Sequence, residues 1–266
     1  MSCEQDVTFK GHHSMSDYNN GYARPTVADM SVDAGLRSFM LGVYNKMGLG
    51  LLLAGGLAWT VGNVPQLAQL LFQDLGARGI GYTPLGMVVA FAPLAVLLAS
   101  RFLMRNMTVV SSAALYWVVV SLVGLSLGVL FVVYAGTLIY TALLVTAVAF
   151  GGLSLYGYAT KRDLSPFGSF LVMAVFGLVA SSVALFFLPP AVYNSPIIFF
   201  GFNIIGVLVF SGMIAWKTQE LKMMYYQLGG NSASTAIVTN IGALSLFISF
   251  VNLFQVILAL MGGRRN

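Results

Sequence analysis

The stretch TAIVTNIGALSLFISFVNLFQVILALM, residues 235–261, decides how the rest of the chain is read. About 20 apolar residues at ~1.5 Å per residue cross the ~30 Å hydrocarbon core of a bilayer, and this stretch is long enough. It is not uniformly apolar. Asn240, Ser245, Ser249, Asn252 and Gln255 interrupt it, and at ~100° per residue all five fall within about half of the helix circumference. Lipid cannot satisfy such side chains, so the stripe should turn towards other protein or a water-filled cavity. That predicts a central helix wrapped by the others. The stripe could serve as interhelical hydrogen-bonding glue, worth ~0.6 kcal/mol per contact, or as a site or pathway.

Composition agrees. The 266 residues are 58% hydrophobic and only 8% charged, with mean hydropathy +0.87, whereas soluble domains carry about 25% charged residues. The chain is therefore an all-α, polytopic membrane protein. Its net charge of +5 comes from basic residues scattered through connecting segments, which fits membrane topology and not nucleic acid. The single cysteine, Cys3, rules out an intrachain disulfide and any multi-cysteine metal site. Residues 1–38 have no apolar core of the kind a cleavable signal peptide needs. Residues 1–30 are expected to form a disordered cytoplasmic tail, with His12 and His13 a solvated pair rather than a metal site, and 31–266 a membrane domain.

Seven spans are predicted, at about 41–61, 84–103, 109–131, 138–158, 167–188, 197–216 and 235–261, with 62–83 a loop. Gly48, Gly50, Ala54 and Gly55 give the first a small-residue surface for close helix contact, as the pair Gly124/Gly128 does in the third. Lys46 lies in the first two turns of the first span and either snorkels to the headgroups or has a buried role. Arg101 and Arg105, Lys161 and Arg162, and Lys217 and Lys222 sit in alternate connections, which places the N-terminus in the cytoplasm. Seven full crossings put Arg264 and Arg265 outside, against that rule; a re-entrant seventh segment would return them. The full crossing is the preferred reading.

No histidine falls in a predicted span, and no Gly-Xaa-Ser-Xaa-Gly, phosphate loop or His-Glu-Xaa-Xaa-His occurs. An enzyme is not expected, nor a cofactor. Asp and Glu stand at 4, 6, 17, 29, 33, 74, 163 and 220, all outside the predicted spans. A divalent-cation site at membrane depth normally needs carboxylates, and so does an acidic proton relay. Neither is expected, and no metal ligand is assigned. Lys217 is the ionisable residue of most interest. After Trp216 it reads as a helix-end lysine reaching water, with Glu220 on the same helix face. If the sixth span continues, Lys217 faces the polar stripe instead, where Ser249 or Asn252 could accept its hydrogen bonds.

Several ordered blocks carry a resemblance: FMLGVYNKM at 39–47, FGGLSLYGY at 150–158, TKRDLS at 160–165, WKTQ at 216–219 and GALSLFISFVNLF at 242–254. Together they resemble the bacterial branch of the Bax inhibitor family, over about residues 32–265. The resemblance implies a seven-helix bundle around a central C-terminal helix. It also implies either a pH-gated calcium leak or regulation of membrane-protein quality control, in a bacterial inner membrane. The chain departs from the family pattern at two positions. Lys217 stands where Tyr-Asp-Thr-Gln has its aspartate, and Ser249 replaces the second aspartate, that of Ser-Leu-Tyr-Leu-Asp-Phe. In the family two close carboxylates share a proton, which makes the pair pH-sensitive; a lysine and a serine cannot do this. The arginine thought to latch that pair would be Arg105 or Arg101. The gate or pore candidates are then Lys217, Ser249, Asn252, Ser245, Arg105 and Arg101. The expected function is non-enzymatic, through partners such as a membrane protease complex. The alternative is an ion or small-solute channel of altered selectivity. The sequence leaves the oligomeric state open.

Overall fold

A computed structural model describes residues 34–74, 80–103, 107–187, 195–228 and 232–263, with side chains throughout except at 74, 101–103, 186 and 187. The tail, Arg105, the Arg101 side chain, Arg264 and Arg265 lie outside the described residues. The chain is helical almost throughout. Helix α1 spans Ala34–Asn63 and α2 Pro65–Leu71; strands β1 (Phe72–Asp74) and β2 (Ile80–Tyr82) follow. Then come α3 (Pro84–Leu103), α4 (Val109–Val133), α5 (Gly136–Ala159), α6 (Ser165–Phe187), α7 (Pro196–Gln227) and α8 (Ser232–Gly262). Six of these, α1 and α4 to α8, are long and apolar enough to cross a membrane. The apolar part of α3, Pro84–Ser100, is shorter and contains Pro93, so it falls just below the length of a standard span.

Helix α8 runs unbroken for 31 residues, about 46 Å at the α-helical rise, long enough for a full crossing. It packs against α1, α4, α5 and α7, while α3 lies outside on α4 and α6 outside on α7. The bundle is thus two halves, α1–α4–α3 and α5–α7–α6, joined along α8. Leu246, Phe247, Leu253 and Leu258 of α8 are fully buried, and the central position expected for this helix is what the structure shows.

Within the first half, contact is close because the residues are small. A Cβ on Gly124 would stand 2.7 Å from Ala54 Cα and 2.9 Å from Ala54 O, and Gly50 and Gly128 similarly admit Tyr116 and Val61. The Gly124/Gly128 pair and the Gly50/Ala54 face therefore meet each other. Gly48 and Gly55 face elsewhere: nothing lies within 4 Å of a Cβ built on either. Only part of the expected small-residue surface is used for helix contact. Helix α4 is started by a capping box, Thr108 Oγ1 accepting from Ser111 N at 3.1 Å and Ser111 Oγ from Thr108 N at 2.9 Å.

Two expectations change. The connection 62–83 holds α2, started by Pro65 at its first turn, and an antiparallel hairpin pairing Phe72 with Tyr82. Their rings stack edge-on at 5.5 Å, and Phe72, Leu71 and Val61 form a small core of their own. The sixth span does not stop at Trp216. Helix α7 continues eleven residues further, to Gln227, because Thr218, Gln219, Leu221 and Lys222 are buried and keep its inner face in protein.

Gly124→Leu forces α1 and α4 apart at a backbone contact that cannot yield. It should lower stability by ~1–3 kcal/mol, seen as a lower unfolding temperature in detergent, whereas Gly48→Leu, which meets open space, should leave that temperature nearly unchanged.

Candidate functional site

One end of the bundle carries the α3–α4, α5–α6 and α7–α8 connections, and there the polar groups gather around the first turns of α8. On one side Lys46 of α1 donates its Nζ proton to Asn240 Oδ1 of α8. The Asn240 amide donates to Ser112 Oγ of α4 at 2.7 Å, and Ser112 Oγ donates to Val109 O at 2.9 Å. Tyr116 OH, on a side chain with no exposed surface, donates to Lys46 O at 2.6 Å, and Lys46 Nζ lies 5.4 Å from the Tyr116 ring centre. Lys46 is half-buried. Its ammonium holds a buried amide while the residue as a whole stays partly exposed.

On the other side a hydroxyl chain links α1, α5 and α7: Tyr44 OH to Ser154 Oγ at 3.0 Å and Ser154 Oγ to Thr218 Oγ1 at 3.0 Å. Thr218 donates to Ile214 O at 2.9 Å. A hydroxyl has one proton, so Thr218 must accept from Ser154, and Ser154 from Tyr44. Gln219 straps the α5–α6 connection, accepting from Leu164 N at 2.7 Å and donating to Arg162 O at 2.8 Å. In that connection Asp163 Oδ1 accepts from Ser165 N at 2.9 Å. The Ser165 hydroxyl and N–H hold the carboxyl below its ordinary value, so it stays ionised near neutral pH and the turn loosens only under acid.

Lys222 is the most deeply buried cation of the described residues, 1% exposed. Its Nζ donates to Tyr158 O at 2.9 Å and lies 5.3 Å from the Tyr158 ring centre. Tyr158 O is among the last carbonyls of α5, which have no partner within the helix and stand at the negative end of its dipole. A helix C-terminus, not a carboxylate, meets this charge. Sequence reading missed Lys222 by assigning it to a connection. The spacing Ile214, Thr218, Leu221, Lys222, Tyr225 continues the helical period and could have found it.

The residues singled out from sequence are dispersed. Lys217 Nζ pairs with Glu220 Oε2 at 2.6 Å, both side chains partly exposed, and lies 4.1 Å from the Trp216 ring centre. Ser249 is buried, but its hydroxyl donates to Ser245 O of its own helix at 2.9 Å. Among the described residues no hydrogen bond joins Lys217 to Ser249, Ser245 or Asn252. The polar stripe of α8 also divides. Asn240 and Ser249, at its two margins, are buried, whereas Ser245 and Asn252 are half-buried and Gln255 is exposed. The contacts explain this: Asn240 touches α4, Gly242 and Val256 touch α7, and the arc between them faces a gap where α4 and α7 scarcely meet.

Lys46 and Asn240 should behave as a coupled pair. In a double-mutant cycle of Lys46→Met and Asn240→Leu, read by unfolding in detergent, the coupling should be about 0.6 kcal/mol and at most ~1.7; strict additivity would mean that solvent alone serves the ammonium.

A model of the family described as "Inhibitor of apoptosis-promoting Bax1" matches residues 36–266. The chain is 54% identical over 255 residues to an uncharacterized protein of Caulobacter vibrioides, covering 95% of this chain and 100% of that one. It is 37% identical over 241 residues to an uncharacterized protein of Rickettsia prowazekii, covering 91% and 96%. It is 36% identical over 233 residues to the inner membrane protein YbhL of Escherichia coli, covering 87% and 94%. A multi-pass helical bundle built around its C-terminal helix, matched along nearly its whole length, this chain belongs to the Bax inhibitor family.

Proposed function

We propose that the protein is a non-catalytic component of a bacterial inner membrane, with its N-terminus in the cytoplasm, that regulates membrane-protein quality control through partners such as a membrane protease complex. The similarity to YbhL, an inner membrane protein, supports the location. One observation carries the functional reading: the polar layer around α8 is held by the cations Lys46 and Lys222 with amides and hydroxyls, and the Glu220 carboxylate is taken up by Lys217 near the surface of α7. A hard divalent cation needs anionic oxygens and is repelled by ammonium groups in a medium of low effective dielectric. Acid gating needs carboxylates whose protonation changes their packing, and the position of Lys217 offers an ammonium already paired. The second reading, a pore for anions or small neutral solutes, is favoured by Ser245, Asn252 and Gln255 on the open arc of α8.

In proteoliposomes the protein should show no calcium uptake above empty vesicles at any pH between about 5 and 8, the range in which carboxylate and imidazole gates titrate. Robust acid-dependent ⁴⁵Ca flux would overturn the reading, and chloride flux blocked by a bulky residue at Asn252 would favour the pore. Crosslinking in native membranes followed by quantitative recovery should enrich a membrane protease or its adaptor, and repeated recovery of neither would count against the partner role.

A further inference from the structure

Helices α1 and α5 leave between them a groove of about 810 Å³ that neither α4 nor α8 fills. Its walls are apolar, with Leu51 and Gly55 on α1, Leu143 and Gly151 on α5, and Phe250 and Phe254 of α8 at its floor. At one end stand Tyr44 and Ser154, hydrogen-bonded to each other; at the other, Trp59 and Tyr140. From Tyr44 to Trp59 the α1 wall runs ~22 Å at the α-helical rise. Leu52 and Leu155 on its rim, and Leu144 and Val148 beside it, are 68–77% exposed. On a membrane-crossing helix such faces meet hydrocarbon, so lipid and not water stands at the mouth.

Size and charge select the occupant. A transmembrane helix of about 30 Å is longer than this trough and brings no phosphate to its basic end. The N-terminal tail is polar and is not suited to an apolar trough. A single acyl chain, reaching down one leaflet or about 15 Å of the hydrocarbon core, is shorter than the trough and lies within it, and the volume lies in the ordinary range of small-ligand sites, about 300–1,000 Å³. The end marked by Tyr44 and Ser154 is also cationic. Arg37 lies seven and fourteen residues before Tyr44 and Leu51, hence on the groove-facing stripe of α1, and it is exposed. Across the groove Lys161 and Arg162, both exposed, follow the end of α5. Asp163, the acid beside them, is engaged with Ser165.

We propose that this groove binds one acyl chain of an anionic phospholipid, with the lipid phosphate held at the basic end by Arg37. The glycines are what keep the trough open: a Cβ on Gly48, Gly55 or Gly151 would meet no other atom within 4 Å, so larger side chains there fill the groove without displacing protein.

The test is native mass spectrometry of the full chain, stripped of lipid in detergent and titrated with phosphatidylglycerol or with phosphatidylcholine of the same acyl chains. The first phosphatidylglycerol should bind about five-fold more tightly than the first phosphatidylcholine, the scale of one arginine acting on one anionic headgroup. Arg37→Gln should bring that ratio close to one and leave phosphatidylcholine binding unchanged. Gly48→Leu combined with Gly151→Leu should abolish the first binding step for both lipids while keeping the parent unfolding temperature; Gly55→Leu alone is the substitute if that pair does not fold. Parent-like binding by the folded groove-filled variant would overturn the site. A ratio near one in the parent, or a five-fold ratio that survives Arg37→Gln, would overturn the assignment of the phosphate to Arg37.

Discussion

The burial of α8 is the constraint on which the remaining architecture depends. The halves α1–α4–α3 and α5–α7–α6 touch each other little directly, and each instead presses on α8. In lipid the hydrophobic effect gives helices little reason to associate, so packing and hydrogen bonds must supply it. Helix α8 supplies both. Phe247, Leu246 and Leu253 have no exposed surface, and Asn240 reaches α1 and α4 at once. Removing this helix would leave two three-helix sheaves with little contact between them.

The same arrangement explains why cations are tolerated so far inside. An unpaired charge at membrane depth is costly, and both Lys46 and Lys222 have hydrogen-bond partners. Lys222 sits level with the end of α5, where carbonyls lack intrahelical partners, and Lys46 level with the start of α4. Tyr158 O near the end of α5 serves Lys222, and the Asn240 side chain serves Lys46 while relaying to the first residues of α4. Lys222 thereby caps α5, whereas Lys46 is held by a side-chain amide. The hydroxyl chain from Tyr44 to Thr218 has a single direction of donation and ends on the α7 backbone, so it serves as a tie between helices and presents no free nucleophile or base.

Much of this was legible in the sequence, for physical reasons that also mark its limit. Helix α8 could be recognised as central because five polar side chains in one apolar stretch demand protein or water beside them, and Gly124/Gly128 could be recognised as a contact because glycine admits a backbone. The continuation of α7 was hidden. Average hydropathy falls after Trp216, and Lys222 counts as a loop signal unless the carbonyl it caps, sixty-four residues away, is known. The sorting of the stripe was equally hidden, since Asn240 and Gln255 are both primary amides and only the placement of α4 and α7 decides that the first is buried and the second is not. The unused Gly48/Gly55 face illustrates the same limit: small residues announce that something can approach, not that a helix of the same chain does.

The resemblance implies aspartates at 217 and 249, and the Lys217 and Ser249 found there fit one another. An aspartate at 217 would sit three residues from Glu220 on one helix face, and like charges at that spacing repel. A lysine there finds Glu220 at 2.6 Å and the Trp216 ring at 4.1 Å, so its charge is satisfied near the surface and position 217 makes no ion pair with α8 among the described residues. Among the described residues no ion pair or hydrogen bond then joins 249 to a charged group. Serine, able to return its proton to Ser245 O one turn back, can be buried at that place, where an unpaired carboxylate could not be. With an ammonium at 217 paired outward and a self-bonded serine buried at 249, the seam at that level is packed, and among the described residues no titratable contact joins these two positions.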